Sequence, residues 1–237
     1  MIVSVIYTLT RKRSIMFEAV LSFFDVNNTF FTLFGYSISY LEFTGTLFNL
    51  ASVILVARRS IWNWPVAIIG VILFGILFYQ IQLYADFFEQ IYYFITGFWG
   101  WYLWQTHKKS KEDNTVHTTI NTRKANILWA IGIIVASAIL SFILHNLNVW
   151  LPALFPEPAS MVEIDATTTI MSFAATILMI LRRVESWVLW IAVDVIAVWL
   201  YWYKEVPFIA LLYLTFLGIA IRGFIAWRKE YLKGKEA

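Results

Sequence analysis

Apolar runs dominate this chain, and they recur about every thirty residues. Seven segments approach the roughly 20 mostly apolar residues that a membrane-spanning helix needs. They cover 38–57, 64–81, 85–105, 126–147, 161–181, 186–203 and 206–227. The shorter ones require tilt or local thinning of the bilayer. The segment 16–36 (MFEAVLSFFDVNNTFFTLFGY) is different. Glu18, Asp25, Asn27 and Asn28 crowd one side of it, which predicts an amphipathic helix lying in the interface. An eighth span is the rival reading, opposed by three polar residues at its centre. The polar stretch 106–125 (THKKSKEDNTVHTTINTRKA) reads as a linker between two halves.

The halves repeat. Shifting the chain by 123 residues places Glu42 on Asp165, Thr44 on Thr167, Arg59 on Arg182 and Trp64 on Trp187. It also places Gly100 on Gly223 and Trp104 on Trp227, and every helix boundary falls into register. Three spans per unit leave the chain on the wrong side for a second unit of the same orientation. One further span must intervene, and 126–147 supplies it. The expected fold is an all-α polytopic membrane protein of seven transmembrane helices. They form a 3+1+3 arrangement of two parallel triple-helix repeats about an axis along the membrane normal. The expected divisions are an N-terminal segment 1–37, a first repeat 38–105, a loop 106–125, a linking span 126–147, a second repeat 148–227 and a tail 228–237.

Composition agrees with this class. The chain of 237 residues is 60% hydrophobic and 14% charged, whereas a soluble domain is nearer half apolar and a quarter charged. Cysteine is absent, which excludes disulfides, thiolate metal sites and a cysteine nucleophile. Basic residues set the topology. With the N-terminus outside, one face receives Arg58, Arg59, Lys108, Lys109, Lys111, Arg123, Lys124, Arg182 and Arg183, with Arg228, Lys229, Lys233 and Lys235 of the tail. The other face holds Lys204 against Glu157, Glu163 and Glu205, with Asp165 at its border. This asymmetry puts the C-terminus in the cytoplasm. The cluster Arg11–Lys12–Arg13 dissents, and a start at Met16 would remove it. Its position after a short apolar stretch reverses the order of a signal peptide.

Polar groups within spans are costly and face the bundle interior or a cavity. On the first span Glu42, Gly45, Asn49 and Ser52 share a face, and on the fifth Asp165, Thr168, Ser172 and Ala175 repeat that spacing. The third span aligns Gln90, Tyr93, Gly97, Gly100 and Trp104. The sixth aligns Trp187, Trp190, Asp194 and Tyr201, and the seventh Tyr213, Phe216, Ala220 and Gly223. Asp194 lies a third to halfway along its span, with no Lys or Arg at that depth. Aromatic faces attract a cation, more so when desolvated, while Asn, Gln and Tyr give directional contacts. Such a pocket suits a small flat cationic or polar ring with a hydroxylated appendage. Expected substrate contacts are Asn49, Gln90, Tyr93, Trp187, Trp190, Asp194, Tyr201 and Tyr213. Glu42, Asp165, Thr168 and Ser172 line the pocket or a gate. Plainer roles compete. Terminal aromatics such as Trp62, Trp64, Trp101, Trp104, Trp150 and Trp227 fit an interfacial belt. Gly97 and Gly100 fit close packing, and Asn49 fits an interhelical hydrogen bond equally well. Arg59 and Arg182 read as cytoplasmic anchors. Where the halves differ is informative, since Asp194 falls on Val71, Trp190 on Ala67 and Tyr213 on Gln90. Trp187 has a counterpart in Trp64 and so competes as scaffold. His107, His117 and His145 lie in or near loops, and no hydrolase, metalloprotease or nucleotide-binding motif is present. No cofactor or metal is expected, nor is an enzyme.

The runs ESWVLWIAVDVIAVWLYWYKE and LLYLTFLGIAIRGFIAW resemble the second half of the PnuC family of vitamin transporters. LYADFFEQIYYFITGFWGWYLWQ resembles that family's third-span signature. The resemblance covers about 40–230, and the 3+1+3 layout also resembles the SWEET sugar transporters. It implies a bacterial inner-membrane homotrimer, not a nucleic-acid binder. Such a protein takes up nicotinamide riboside, a pyridinium cation carrying ribose, by facilitated diffusion. A cytoplasmic kinase then traps the substrate. By motif match it implies Trp187, Trp190, Asp194, Gln90, Asn49 and Tyr213 as the site. Members of the family also carry thiamine, deoxynucleosides or riboflavin. Many have Asn in place of Asp194, which leaves thiamine and other vitamins open. A membrane-bound enzyme or a receptor without flux is the reading from a different class.

Overall fold

The computed structural model describes residues 18, 21–33, 35–108, 110, 113–152, 161–203 and 207–236. Arg11, Lys12, Arg13, Met16, Lys109, Lys111, Glu157, Lys204 and Glu205 lie outside them. Among the described residues two strands, β1 (Thr29–Leu33) and β2 (Tyr36–Ser39), precede seven long helices. These are α1 (Tyr40–Ala57), α2 (Asn63–Gln80), α3 (Tyr84–Thr106), α4 (Arg123–Trp150), α5 (Val162–Ile180), α6 (Glu185–Tyr203) and α7 (Pro207–Glu236). Six are long and apolar enough to cross a membrane, by length and composition, among the described residues. The helix α3 is not one of the six. It carries Asp86, Glu89 and Gln90, and its Tyr and Trp residues are less apolar than the aliphatic residues of the other helices. The chain divides into two compact units. One takes the chain up to Ser52 with Trp64–Phe98, the other Val53–Asn63 with Trp99 onward.

The first unit corrects one expectation. Over 16–36 helix persists at Leu21–Phe23 and then gives way to turns and an antiparallel hairpin. Asp25 is the reason. Its Oδ1 accepts from the Asn27 N–H at 2.9 Å, an Asx turn that competes with helix. Thr29–Leu33 is rich in Thr and Phe, which favour strands. Gly35 at φ 83° allows the tight reversal into β2. Ser39 then caps α1, its Oγ accepting from the Glu42 N–H at 3.1 Å, in the Ser-x-x-Glu pattern of a capping box. The Tyr36 hydroxyl donates to Glu42 at 2.8 Å. Burial, reinforced by that carboxylate, pushes the Tyr36 phenol up to about 12. Gln80 on α2 fastens the preceding turn. Its Oε1 accepts from the Val26 N–H at 3.0 Å and its Nε2 donates to the Phe24 carbonyl at 2.6 Å. Phe23, Phe24 and Val26 thereby pack on the buried Leu41, Leu73 and Leu77.

The second unit shows the 123-residue repeat in its backbone. Arg59 (φ 62°) and Arg182 (φ 60°) both adopt the left-handed conformation. The Arg59 N–H donates to Val56 O at 2.8 Å, and the Arg182 N–H to Met179 O at 2.9 Å. The Ser60 N–H donates to Leu55 O, and the Arg183 N–H to Leu178 O, again one offset apart. These arginines therefore shape helix-terminating turns. Arg59 also pairs with Glu230 at 2.8 Å, so it is more than the solvent-facing anchor its position suggested.

Two indoles are exchanged between equivalent positions. Trp104 Nε1 donates to Ile180 O at 3.1 Å and to Met179 O at 3.3 Å. Trp227 Nε1 donates to Val56 O at 3.0 Å. Val56 and Met179 are one offset apart, as are Trp104 and Trp227. Both rings are 0% exposed and lie 5.9 Å apart. This corrects the interfacial-belt assignment of Trp104, Trp227 and the buried Trp64. A buried indole needs an acceptor, and helix-end carbonyls without an intrahelical donor provide one. Exposed Trp62 and Trp150 remain compatible with a belt.

Trp187 packs edge-on against Trp227 at 5.6 Å, and Gly223 faces it so closely that a Cβ there would stand 2.6 Å from the ring. We expect Gly223→Ala to destabilise the fold by about 1–3 kcal/mol through overpacking. Gly132→Ala, on an open face of α4, should be neutral or stabilising by up to about 1 kcal/mol. Thermal unfolding of both variants in detergent checks the pair.

Part of the expected linker is an ordered strap. Residues 113–121 form no helix and pair through isolated bridges at Thr115, Val116 and Thr119, with Val116 and Thr118 buried and His117 between them exposed. The Ile61 N–H donates to Asn114 O at 2.9 Å and the Val116 N–H to Arg59 O at 3.2 Å. At the equivalent turn the Val184 N–H donates to Thr119 O, and the Thr119 N–H to Arg182 O, both at 2.9 Å. Thr122 ends the strap by capping α4, its Oγ1 accepting from the Ala125 N–H at 3.2 Å.

Candidate functional site

In the second unit the uninterrupted helix α6 sets Trp187, Trp190, Asp194 and Tyr201 on one stripe. Asp194 is 5% exposed, between the buried Val193 and Ala197. No hydrogen bond or ion pair reaches its carboxylate among the described residues. Buried polar side chains nearly always have partners, so such a group calls for an explanation. A structural acid would be paired; an acid that meets a ligand has a reason to stand alone. Trp190 is half-buried on the same stripe. One helical turn or more beyond, Tyr201 stacks on Tyr213 of α7 with centroids 5.4 Å apart and planes 11° apart. Phe216 meets Tyr213 edge-on at 6.2 Å. Trp187 is 1% exposed and closed in by Trp227 and Gly223, a packing that suits scaffold.

On α5 the hydroxyls turn toward their own helix. Thr168 Oγ1 donates to Ile164 O at 2.9 Å. Ser172 is buried and its carbonyl accepts from Thr176 Oγ1 at 2.9 Å. Asp165 is exposed in the first turn of the helix, where a carboxylate complements the helix dipole. Glu42 has the corresponding place on α1, engaged by the Tyr36 hydroxyl and the cap.

In the first unit Asn49 lies against α2, its Oδ1 2.9 Å from where a Cβ on Gly70 would stand. Gly70 is what admits this amide between the helices. Gln90 lines a cavity of about 420 Å³ between α2 and α3, with Val71, Gly75, Tyr79, Phe87 and Phe94. Its Nε2 donates to Asp86 O at 3.3 Å. Tyr93 is half-buried on α3, its ring edge-on to Tyr92 at 5.4 Å, and it is not among the residues lining that cavity. The expected site residues thus fall into two groups, Asn49, Gln90, Tyr93 and Glu42 in one unit and the rest in the other.

Sequence reasoning overlooked the strap and the Trp104–Trp227 exchange. The signal for the indoles was present, because the two tryptophans correspond under the 123-residue shift. The strap gave no comparable signal, since most of its partners are main-chain groups of distant turns.

Comparison with known proteins decides the family. The family described as Nicotinamide mononucleotide transporter matches residues 39–229. The chain belongs to this family. Within the nicotinamide mononucleotide transporter family it is 29% identical over 210 residues to the nicotinamide riboside transporter PnuC of Escherichia coli K12, covering 81% of this chain and 87% of the relative. It is 26% identical to the nicotinamide riboside transporter PnuC of Neisseria mucosa, covering 81% and 73%. It is also 26% identical to the riboflavin/roseoflavin transporter RibM of Streptomyces davaonensis, covering 85% and 91%. A crystal structure of the vitamin B3 transporter PnuC superposes with a TM-score of 0.64 over 82% of this chain and 83% of that one, at 23% identity. The fold is therefore that of a known membrane transporter family, and the resemblance read from ESWVLWIAVDVIAVWLYWYKE holds. The named relatives are transporters, which points away from an enzyme.

Proposed function

We propose that this chain carries nicotinamide riboside across the bacterial inner membrane by facilitated diffusion, the substrate then being trapped by cytoplasmic phosphorylation. The single observation that carries the reading is Asp194, a buried carboxylate on an aromatic helix face with no partner among the described residues. A pyridinium ring supplies the missing positive charge, and Trp190 offers it a stacking face. Within the second unit Tyr201 and Tyr213 offer contacts to ribose hydroxyls and the carboxamide, with Trp187 holding α6 in place. Asn49, Gln90 and Tyr93 carry groups of the same chemistry in the first unit. Glu42, Asp165, Thr168 and Ser172 border the path. Charge argues against the mononucleotide, because a phosphate would meet Asp194 and no Lys or Arg stands within α1, α2, α3, α5 or α6.

The repeated turns and exchanged indoles support a seven-span, 3+1+3 architecture related to that of the SWEET transporters, with α4 linking two parallel repeats. The halves rock about the midplane site. The arginine-bearing turns and the C-terminus face the cytoplasm, and the assembly is a homotrimer.

Uptake of radiolabelled nicotinamide riboside into proteoliposomes tests the reading, with unlabelled thiamine, riboflavin and nicotinamide mononucleotide as competitors. Saturable uptake blocked by excess unlabelled riboside but little affected by the mononucleotide is expected. Stronger competition by thiamine or riboflavin would reassign the substrate. Binding without flux would make the protein a receptor, and release of an altered compound would make it an enzyme.

A further inference from the structure

The strap 113–121 touches both arginine turns, and its position has a mechanical consequence under the transport reading just given. The turn Arg58–Asn63 joins two helices of the first repeat, and the turn Leu181–Glu185 joins two of the second. Arg59 O and Arg182 O accept from strap N–H groups only three residues apart, at Val116 and Thr119. Three extended residues span at most about 10 Å. The two turns therefore cannot separate while both sets of bonds persist. Rocking of the halves requires that separation whenever the site opens at this end.

We propose that residues 114–121 are a latch that closes the cytoplasmic end, and that it opens by release from the first turn while staying on the second. The bonding is lopsided in that sense. The first turn is held by two main-chain hydrogen bonds, from the Ile61 N–H to Asn114 O and from the Val116 N–H to Arg59 O. The second turn has the equivalent pair and more. Arg183 Nη1 donates to Ile120 O at 3.0 Å, the Asn121 N–H donates to Glu185 Oε1 at 2.9 Å, and Thr119 Oγ1 reaches Arg182 O at 3.3 Å. Thr118 adds a donation to Trp227 O at 2.9 Å, also in the second repeat. Charge-assisted bonds of the Arg183 and Glu185 kind are roughly twice as strong as neutral ones. Release at the first turn is thus the cheaper opening. It must accompany rupture of the Arg59–Glu230 pair and of the two exchanged indole bonds, which also join the repeats at this end.

The chain has no cysteine, so introduced pairs report without background. Ser60 and Thr115 are bridge partners, as are Thr119 and Arg183, at Cα spacings of about 5 Å that a disulfide can close. In proteoliposomes with radiolabelled nicotinamide riboside, oxidised Ser60→Cys/Thr115→Cys should lose initial uptake by about tenfold or more, as expected for a blocked gating step, and regain it on reduction. Oxidised Thr119→Cys/Arg183→Cys should transport like its reduced form. Full cross-linking of Ser60→Cys/Thr115→Cys with unchanged uptake overturns the latch, and loss of uptake in both oxidised pairs overturns the stated hinge. If the cysteine-free parent takes up no riboside, the transport reading fails on its own. Maleimide labelling then decides the latch without any substrate. Val116→Cys reacting about tenfold faster than Thr118→Cys supports opening at the first turn, since exposure follows local opening. Equal rates overturn it.

Discussion

Asp194→Ala is expected to weaken nicotinamide riboside binding by roughly 30- to 1000-fold while leaving the folded protein as stable as the parent or more so. The affinity side follows from charge. Two unit charges about 4 Å apart interact by about 4 kcal/mol at the effective dielectric suited to protein sites, and some of that is lost to desolvation. A net loss of about 2–4 kcal/mol corresponds to the stated range, at about tenfold per 1.4 kcal/mol. The stability side has the opposite sign. A buried charge without a partner costs free energy in the empty protein, and none of the described residues loses a bond when the carboxylate goes. A structural acid would behave the other way, its removal stranding a partner at a cost of about 3–5 kcal/mol. Asp194→Asn keeps directional bonding without the charge and should fall between alanine and parent. Competition binding in detergent, run beside thermal unfolding, separates the cases. Parent-like affinity in Asp194→Ala would remove the carboxylate from the site, and a large loss of stability would make it structural.

Six helices were legible because each carries a run of apolar residues long enough to count, and α3 because aromatic residues continue its apolar pattern. Their ends lie within about three residues of the expected limits, except that α7 continues to Glu236. Aromatic-rich 29–39 was harder. Five residues with Phe and Thr fit a helical face or a strand equally well, and what decides between them is the Asx turn at Asp25 and the reversal at Gly35. Position at a helix end misassigned Trp104 and Trp227, because end position predicts a belt only when nothing packs over the end. Here the equivalent turn of the other repeat does so. Trp187 shows the repeat working as a filter. Its counterpart Trp64 is buried too, so the matched pair reads as scaffold. Trp190 and Asp194, which have no such counterparts, remain the distinctive features of α6. The strap was hard to read from its residues, because the bonds common to both turns join main-chain groups and leave no imprint on side-chain identity, and Arg183 and Glu185 bond its main chain rather than a matching side chain.

Trp227→Ala should destabilise the protein by about 3–5 kcal/mol, the range for truncating a large buried aromatic, against about 0.5 kcal/mol or less for Trp62→Ala, which is 58% exposed. Trp227 is the hub of its cluster. Its ring meets Trp104 at 5.9 Å and Trp187 at 5.6 Å, and its N–H satisfies Val56 O. Removal leaves a cavity walled by two indoles, neither free to collapse into it. Trp187 is held against Gly223, and Trp104 is tied to Met179 and Ile180. Trp227→Phe separates volume from hydrogen bonding. It keeps an aromatic ring and leaves the Val56 carbonyl with its Arg59 N–H donor alone, so the loss is that of one hydrogen bond, about 0.5–1.5 kcal/mol. Because the exchanged bonds join equivalent positions of the two repeats, Trp104→Phe should cost a similar amount. The double variant should depart from additivity by about 0.5–3 kcal/mol, as contacting residues do. Thermal unfolding of the four proteins in detergent measures that coupling. Strict additivity would mean that the indoles stabilise the two halves separately, and the close contact between them would then contribute nothing to closing this end of the bundle.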